Sequence, residues 1–249
     1  NPVMTDTPDL PLETLVPDAQ PAPKTLVTRP IALSSMPKTQ ANPFPARVAG
    51  IFPAVAAAQF FAISESPGFH PVKLIQRFDL ATGTPSPVMT IASSLVISGI
   101  SSDGKRLVGI NTIRQGHFGD PNTVEVWSIE REPQLLVSFI PTTDTNEGHF
   151  LQSARFVDPN HILTMILGKL TCWEIPAAKA IYTRDLGRRA TLATSATGKY
   201  FAAADDLTVR IFNSATGAVL GSLPDASPPI HPTHISFSSS GNRILLSEK

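Results

Sequence analysis

The sequence is poor in cysteine and carries no excess charge of either sign. Cys172 is the only cysteine among the 249 residues, so the chain cannot form an internal disulfide, and we expect a small buried side chain there. Lysine and arginine number 20, aspartate and glutamate number 20, and the formal net charge is zero. A chain without a net positive field has no long-range attraction for nucleic acid or an anionic membrane. No nucleic-acid partner is therefore expected.

The sequence also lacks a long apolar run. Its most apolar stretch, residues 48–63, is shorter than the ~20 residues that a helical membrane span needs, and it contains Pro53 and Gln59. Two short strands with a bend at Pro53 explain this stretch better. We therefore expect no membrane span.

Motifs of the common catalytic and cofactor sites are missing as well. The sequence contains no G-x-S-x-G, H-E-x-x-H, P-loop, G-x-G-x-x-G or C-x-x-C motif. His231 and His234 form an H-x-x-H, but no further ligands at metal-site spacing accompany them, and the surrounding prolines favour a loop. We expect no catalytic residue, no cofactor and no metal site.

What the sequence does contain is a repeat. Four times a β-favouring run ends in an aromatic residue and then breaks into a turn, at intervals of roughly 40 to 50 residues. A polar turn and an apolar run precede three of these segments, and another apolar run follows each of them. Each repeat therefore predicts four antiparallel strands, a to d, with the aromatic on strand c. The four anchor aromatics are Phe78, Trp127, Trp173 and Phe212.

A repeat of this length is typical of a β-propeller, in which each repeat is one four-stranded blade. The predicted fold class is all-β, a propeller of about four complete blades and a partial fifth that opens at residues 238–246. The alternative is a β-sandwich, but a sandwich does not require turn, strand and aromatic to recur in one order. Because the partial blade stops at its second strand, we expect an incomplete ring, completed by sequence outside these 249 residues.

Residues 1–47 differ in composition from the rest. Ten of the 24 prolines lie here. Proline removes backbone donors and favours extended, solvated chain, so this segment predicts a largely irregular linker or tail. Residues 25–33 (TLVTRPIAL) are an exception and could dock as an edge strand. The predicted domains are thus a Pro-rich segment, 1–47, and the propeller, 48–249.

The last full repeat resembles a known family. Its TVRIF run (208–212) stands where WD-repeat proteins have a similar run that ends in Trp, and Trp127 and Trp173 hold that position in other repeats. Asp206 matches the aspartate that the family places in the b–c turn, where it joins a buried network with a histidine, a hydroxyl and the Trp. The chain therefore resembles a WD-repeat propeller over residues 50–249, and its insertions are similar to those of divergent bacterial members. This resemblance leaves cytoplasmic and extracytoplasmic locations both open.

Long insertions are concentrated in two of the four loop types. In a four-stranded blade the b–c and d–a loops emerge on one face, and the a–b and c–d turns on the other. The loops 65–72, 112–122, 141–150 and 224–232 are all of the first kind, whereas the other turns are short. Repeat proteins often carry binding loops in this way, although surface insertions are also simply tolerated. The candidate binding residues on this face are Phe69, His70, Arg114, His117, Phe118 and His149.

The function predicted from these observations is a non-catalytic interaction platform. It would bind a protein or peptide partner at the face of the b–c and d–a loops. The alternative is a propeller-type enzyme, a hydrolase or lactonase-like protein, whose active site is not visible in these residues. Such an enzyme needs acidic or histidine side chains that converge on the central channel, and the repeats show no such set.

Overall fold

The computed structural model of the chain describes residues 47–66, 72–91, 95–112, 122–144, 147–188, 190–205, 208–223, 234–238, 241 and 243–247. Within these ranges the chain forms four antiparallel sheets of four strands each, followed by a two-stranded hairpin. Short 3-10 turns lie at Val55–Ala57, between the first two strands of the first sheet, and at Glu147–Phe150, between the second and third sheets. The predicted edge strand at residues 25–33 lies outside the described residues.

Within each sheet the strands are neighbours in chain order, so every sheet is an up-and-down meander. The first contains β1 (Arg47–Ala54), β2 (Gln59–Glu65), β3 (Lys73–Asp79) and β4 (Met89–Ile91). The second contains β5 (Leu95–Ile100), β6 (Arg106–Asn111), β7 (Thr123–Ser128) and β8 (Gln134–Phe139).

The third and fourth sheets repeat this order, and the hairpin repeats its first half. The third contains β9 (Leu151–Asp158), β10 (His161–Ile166), β11 (Lys169–Glu174) and β12 (Lys179–Asp185). The fourth contains β13 (Thr191–Thr194), β14 (Tyr200–Ala204), β15 (Val209–Asn213) and β16 (Val219–Ser222). The hairpin contains β17 (His234–Phe237) and β18 (Ile244–Ser247).

The tight a–b turns follow from local sequence. Gly104, Gly198 and Gly241 adopt φ values of 70°, 72° and 75°, a region that glycine enters without steric cost. In the third sheet the turn uses side-chain chemistry instead, because Asn160 donates its backbone N–H to Asp158 Oδ1 at 2.7 Å. These turns reverse the chain and place strands a and b side by side.

The first strand pair departs from the prediction at one point. The bend predicted at Pro53 falls instead at residues 55–58, where the 3-10 turn ends at Ala58 in the left-handed region with φ 50°. Pro53 itself lies within β1, opposite Phe60 of β2. Because β1 is the edge strand of its sheet, the missing N–H of Pro53 need not interrupt a ladder.

Four hydrophobic clusters join each sheet to the next. Phe61 and Ile75 of the first sheet pack with Leu95 and Leu107 of the second, and Val126 of the second packs with Ile162 of the third. Equivalent clusters lie between the third and fourth sheets and between the fourth sheet and the hairpin. Strands b and c of the four complete sheets are therefore largely buried on both faces, which explains why their apolar runs are nearly continuous.

Each anchor aromatic lies on the third strand of its sheet, opposite an apolar residue of the second strand. Phe78 stacks on Phe60 with ring centroids 4.7 Å apart, and Phe212 stacks on Phe201 at 4.6 Å. Trp127 and Trp173 take the same register position, opposite Leu107 and Ile162 respectively; the four pairs are thus equivalent.

The innermost strands β1, β5, β9, β13 and β17 contact one another in chain order. Sheets of four strands that pack face to face around a common centre are the blades of a β-propeller. The structure thus confirms the predicted fold class, all-β with four antiparallel four-stranded blades, and the hairpin takes the place of the predicted partial blade.

Candidate functional site

The b–c and d–a connections lie together at one end of the blades, because every blade is an up-and-down meander. We call this end the long-loop face, and the end that carries the a–b and c–d turns the short-turn face. Of the predicted binding residues, Phe69, His70, Arg114, His117 and Phe118 lie outside the described residues. His149 lies in the 3-10 turn Glu147–Phe150 of the long-loop face, and its side chain is outside the described part of the chain.

Among the described residues of the long-loop face, Phe150 is an exposed aromatic that is not one of the predicted binding residues. Phe150 ends the 3-10 turn and is 54% exposed, while the next residue, Leu151, is buried at the start of β9. The sequence signal was present, since Phe150 lies at the end of the predicted loop 141–150. The candidate binding residue predicted for this loop is its neighbour His149.

The loop between β6 and β7 is fixed at its base by a buried carboxylate. Glu125 Oε1 accepts a hydrogen bond from Asn111 Nδ2 at 2.7 Å, and Glu125 Oε2 accepts one from Trp127 Nε1 at 2.9 Å. Asn111 is the last residue of β6, so this contact holds the start of the loop against β7. Both oxygens of the buried carboxylate are satisfied, as burial requires.

The same loop is tied to the neighbouring connection. Asn122, the last residue of loop 112–122, donates its backbone N–H to the carbonyl oxygen of Gly148 at 3.3 Å. Gly148 belongs to the 3-10 turn that exposes Phe150. The end of loop 112–122, where β7 begins, is therefore held against the 3-10 turn of loop 141–150.

Asp205 organises the b–c turn of the fourth blade. Its carboxylate accepts hydrogen bonds from Thr208 N–H at 3.2 Å and Thr208 Oγ1 at 2.8 Å, and from Arg210 Nη2 at 2.6 Å. Partial burial acts to raise the pKa of Asp205, but the hydrogen bonds from Thr208 and Arg210 outweigh it and hold the pKa below its ordinary value. Asp206, predicted for the turn position of the WD-repeat pattern, lies outside the described residues.

The third blade contains one link of the buried network that the WD-repeat resemblance implies. Trp173 Nε1 donates a hydrogen bond to Thr164 Oγ1 at 2.8 Å, which joins strand c to strand b. In the second blade the indole of Trp127 uses Glu125 instead. Phe212 has no such donor, so the fourth blade relies on ring stacking at this position.

Cys172 is buried on β11, as predicted. Burial raises the pKa of its thiol to about 11, an effect that a hydrogen bond with Tyr182 only partly offsets. The thiol is therefore protonated near neutral pH, whereas the nucleophile in cysteine chemistry is the thiolate.

Within the described ranges, no three side chains of His, Cys, Asp or Glu are grouped so that they could hold a metal ion. Among the same residues, no helix is long and apolar enough to cross a membrane. In comparisons of the sequence with known proteins, no family model matches the chain and no curated protein gives a significant match. The β-propeller is thus established by the structure, and the likeness to WD repeats stays a prediction.

Proposed function

We propose that this chain is a WD-repeat-like propeller that serves as a non-catalytic platform and binds a protein or peptide at its long-loop face. The observation that carries the proposal is Phe150, a 54% exposed aromatic on that face. An aromatic side chain is a frequent energetic centre of protein interfaces, since it offers a large rigid area at little entropic cost.

The surroundings of Phe150 support the same assignment. Its 3-10 turn is held next to Asn122, the last residue of loop 112–122, by the Asn122–Gly148 hydrogen bond, and the sequence of that loop contains Arg114 and Phe118. Arginine and aromatic residues are enriched among interface hot spots. The blades beneath are joined by apolar clusters, so they provide a stable base on which loops can differ without loss of the fold.

A comparison of two double variants tests the proposal. The tagged 249-residue chain is first used to capture partners, which quantitative mass spectrometry identifies. The affinity of the captured protein for the chain is then measured by titration. Replacing Arg114 and Phe118 by Ala should weaken that binding by more than ~2 kcal/mol and leave thermal stability nearly unchanged. Phe150→Ala should weaken it as well.

The matched control lies on the short-turn face. Arg131 and Leu80 are an exposed arginine and an exposed large apolar residue on c–d turns, and their double replacement by Ala should leave binding intact. Loss of binding in this control, with full affinity in the Arg114/Phe118 variant, would move the interface to the opposite face. The enzyme alternative is tested by incubating the purified chain with a panel of ester and lactone substrates. Turnover of any of them would contradict a non-catalytic role.

A further inference from the structure

A cleft of about 740 Å³ opens between the third and fourth blades on the short-turn face, away from the surface proposed above. The third blade contributes Asp158, His161 and Ile181 to its lining, and the fourth contributes the turns that contain Lys199 and Ser214. Pockets that hold small ligands measure roughly 300 to 1,000 Å³. The cleft is therefore large enough for a ligand of a few residues.

Ser214 is the unexplained polar group of this cleft. Its side chain is buried, with the residue 5% exposed, and its Oγ has no hydrogen-bond partner among the described residues. The backbone of the same residue is well used, since its carbonyl oxygen accepts the Tyr182 hydroxyl at 2.6 Å. A buried hydroxyl without a partner costs roughly 1–3 kcal/mol. A ligand group in the cleft that accepted a hydrogen bond from this hydroxyl would remove that cost.

His161 presents a defined ring nitrogen on the opposite wall. Its Nδ1 lies 2.9 Å from Asp158 Oδ1 and 2.8 Å from Oδ2, and the same Oδ1 accepts the N–H of Asn160. In the neutral tautomer that donates from Nδ1 to Asp158, the lone pair of the ring lies on Nε2. Nε2 has no partner within the described part of the chain and can accept a hydrogen bond from a ligand N–H.

The negative and positive side chains that line the cleft differ in whether they already have a partner. The Asp158 carboxylate already accepts hydrogen bonds from its own turn and from His161. Lys199 is exposed at the rim and has no anionic partner among the described residues. A ligand therefore meets a free positive charge and a negative charge that is already satisfied, which favours a carboxylate over an ammonium group.

The remaining wall is apolar. Ile181 on the outer strand β12 is 44% exposed and lines the cleft, and Cys172 forms part of its floor as a neutral thiol. An aliphatic ligand group that covers Ile181 removes apolar surface from water. A peptide backbone adds the N–H donor and the C=O acceptor that match His161 Nε2 and the Ser214 hydroxyl.

We propose that this cleft binds a short peptide segment that carries an acidic side chain next to an aliphatic one. The carboxylate lies on the Lys199 ammonium group and the aliphatic side chain on Ile181. The peptide N–H donates to His161 Nε2, and a peptide carbonyl accepts from Ser214 Oγ.

The test is an NMR titration of the ¹⁵N-labelled full chain with the capped peptide acetyl-Ala-Ile-Glu-Ala-amide. The peptide should shift the amide signals of residues 197–200 and 213–215. Lys199→Gln should raise the dissociation constant about 10-fold, equivalent to ~1.4 kcal/mol, and the peptide with Gln in place of Glu should show a similar loss on the unchanged protein. Ser214→Ala keeps a side chain of similar size and should also weaken binding.

Lys105→Gln is the matched control, because Gly104-Lys105 and Gly198-Lys199 occupy the same a–b turn position in the second and fourth blades. This variant should bind the peptide as the unchanged protein does. Equal losses for the two lysine variants, equal affinity for the Glu and Gln peptides, or no shifts at residues 197–200 and 213–215 would overturn the proposal. Binding of free 4-methylpentanoate as tightly as the peptide would overturn it too, since the backbone contacts would then contribute nothing.

Discussion

At the scale of single residues, Asp205 shows how one carboxylate sets the shape of a turn. It receives hydrogen bonds from the backbone and hydroxyl of Thr208 and from Arg210, which follow it in the same hairpin. These donors stabilise the ionised form, so the pKa of Asp205 is lower in the folded protein than in the unfolded chain. The ionised carboxylate therefore adds to the free energy of unfolding.

This lowered pKa gives stability a pH dependence with a definite sign. The contribution of Asp205 is complete above the unfolded-state pKa of about 3.9 and is lost as the pH falls through the lower folded-state pKa. Asp205→Asn should therefore be less stable than the unchanged protein at neutral pH, and the difference should shrink in acid. Denaturant unfolding at a series of pH values measures it.

The control for this prediction is Asp185→Asn, at an exposed aspartate that ends β12. Its difference from the unchanged protein should stay small at every pH. A difference for Asp205→Asn that is constant with pH would contradict the role assigned to its charge.

Residue-level predictions from the sequence were the least complete. The WD-repeat pattern predicts Asp206 for the b–c turn, a residue that lies outside the described part of the chain; the contacts described in that turn are those of its neighbour Asp205. Ser214 gave no signal at all, since its burial depends on Tyr182 of a different blade, which lies over the turn.

At the scale of elements, the c–d turns of the first and fourth blades have the same construction. Asp79 Oδ1 accepts the backbone N–H groups of Ala81 and Thr82, and Asn213 Oδ1 accepts those of Ala215 and Thr216. Each turn ends in a glycine with positive φ, 70° at Gly83 and 66° at Gly217. The repeated segments FDLATG and FNSATG made this similarity visible in the sequence.

The two turns differ in what lies against them. The fourth-blade turn is covered by β12 of the third blade, because Arg184 donates hydrogen bonds to the carbonyl oxygens of Thr216 and Gly217. A Cβ atom at Gly217 would lie 2.6 Å from ring atoms of Tyr182, whereas a Cβ at Gly83 would have no atom within 4 Å.

Two matched glycine variants distinguish the free-energy cost of a positive φ from the cost of a clash with the Tyr182 ring. Gly83→Ala should cost roughly 1 kcal/mol of unfolding free energy, since it meets only the unfavourable positive φ. Gly217→Ala should cost roughly 1–3 kcal/mol more, because the Tyr182 ring must move. Thermal and denaturant unfolding of both variants gives the difference, and equal costs would contradict the packing of β12 on this turn.

The strands themselves were predictable because turn residues and apolar runs alternate in one order along the chain. The bend near Pro53 was placed wrongly because proline suggests a break, yet an edge strand can accommodate it. Loop contacts such as Asn122 with Gly148 were not predictable, since they join connections of different types across blades.

At the scale of the whole molecule, the terminal sheets have apolar side chains that no neighbouring blade covers. Ile51 lies opposite Ala62 of β2, on the face away from the second blade, and is 67% exposed. Leu245 of the hairpin is 64% exposed, while its neighbours Ile244 and Leu246 pack toward the fourth blade. Exposed apolar groups on sheet faces favour association between copies.

We therefore expect the chain to self-associate as its concentration rises. Replacing Ile51 and Leu245 by Ser should shift the chain toward monomer in size-exclusion chromatography with light scattering. Leu135→Ser changes an exposed leucine of the outer strand β8 and should leave the association unchanged. A stable monomer of the unchanged protein at all concentrations would contradict this expectation.

The repeat period predicted the overall architecture because a propeller blade is a nearly self-contained unit, so its pattern survives in the sequence. The identity of the binding surface was less accessible, because loops on the surface follow no pattern that packing imposes. Phe150 is an example: only its exposure in the folded chain shows that this aromatic residue belongs to the surface and not to the core.

The central claim, four equivalent blades, is tested most directly by NOE contacts between strands b and c in solution. The account predicts backbone contacts at one register position in every blade, between the pairs Phe60–Phe78, Leu107–Trp127, Ile162–Trp173 and Phe201–Phe212. Absence of any of the four pairs, or helical NOE patterns that extend over more than two turns in this region, would contradict it.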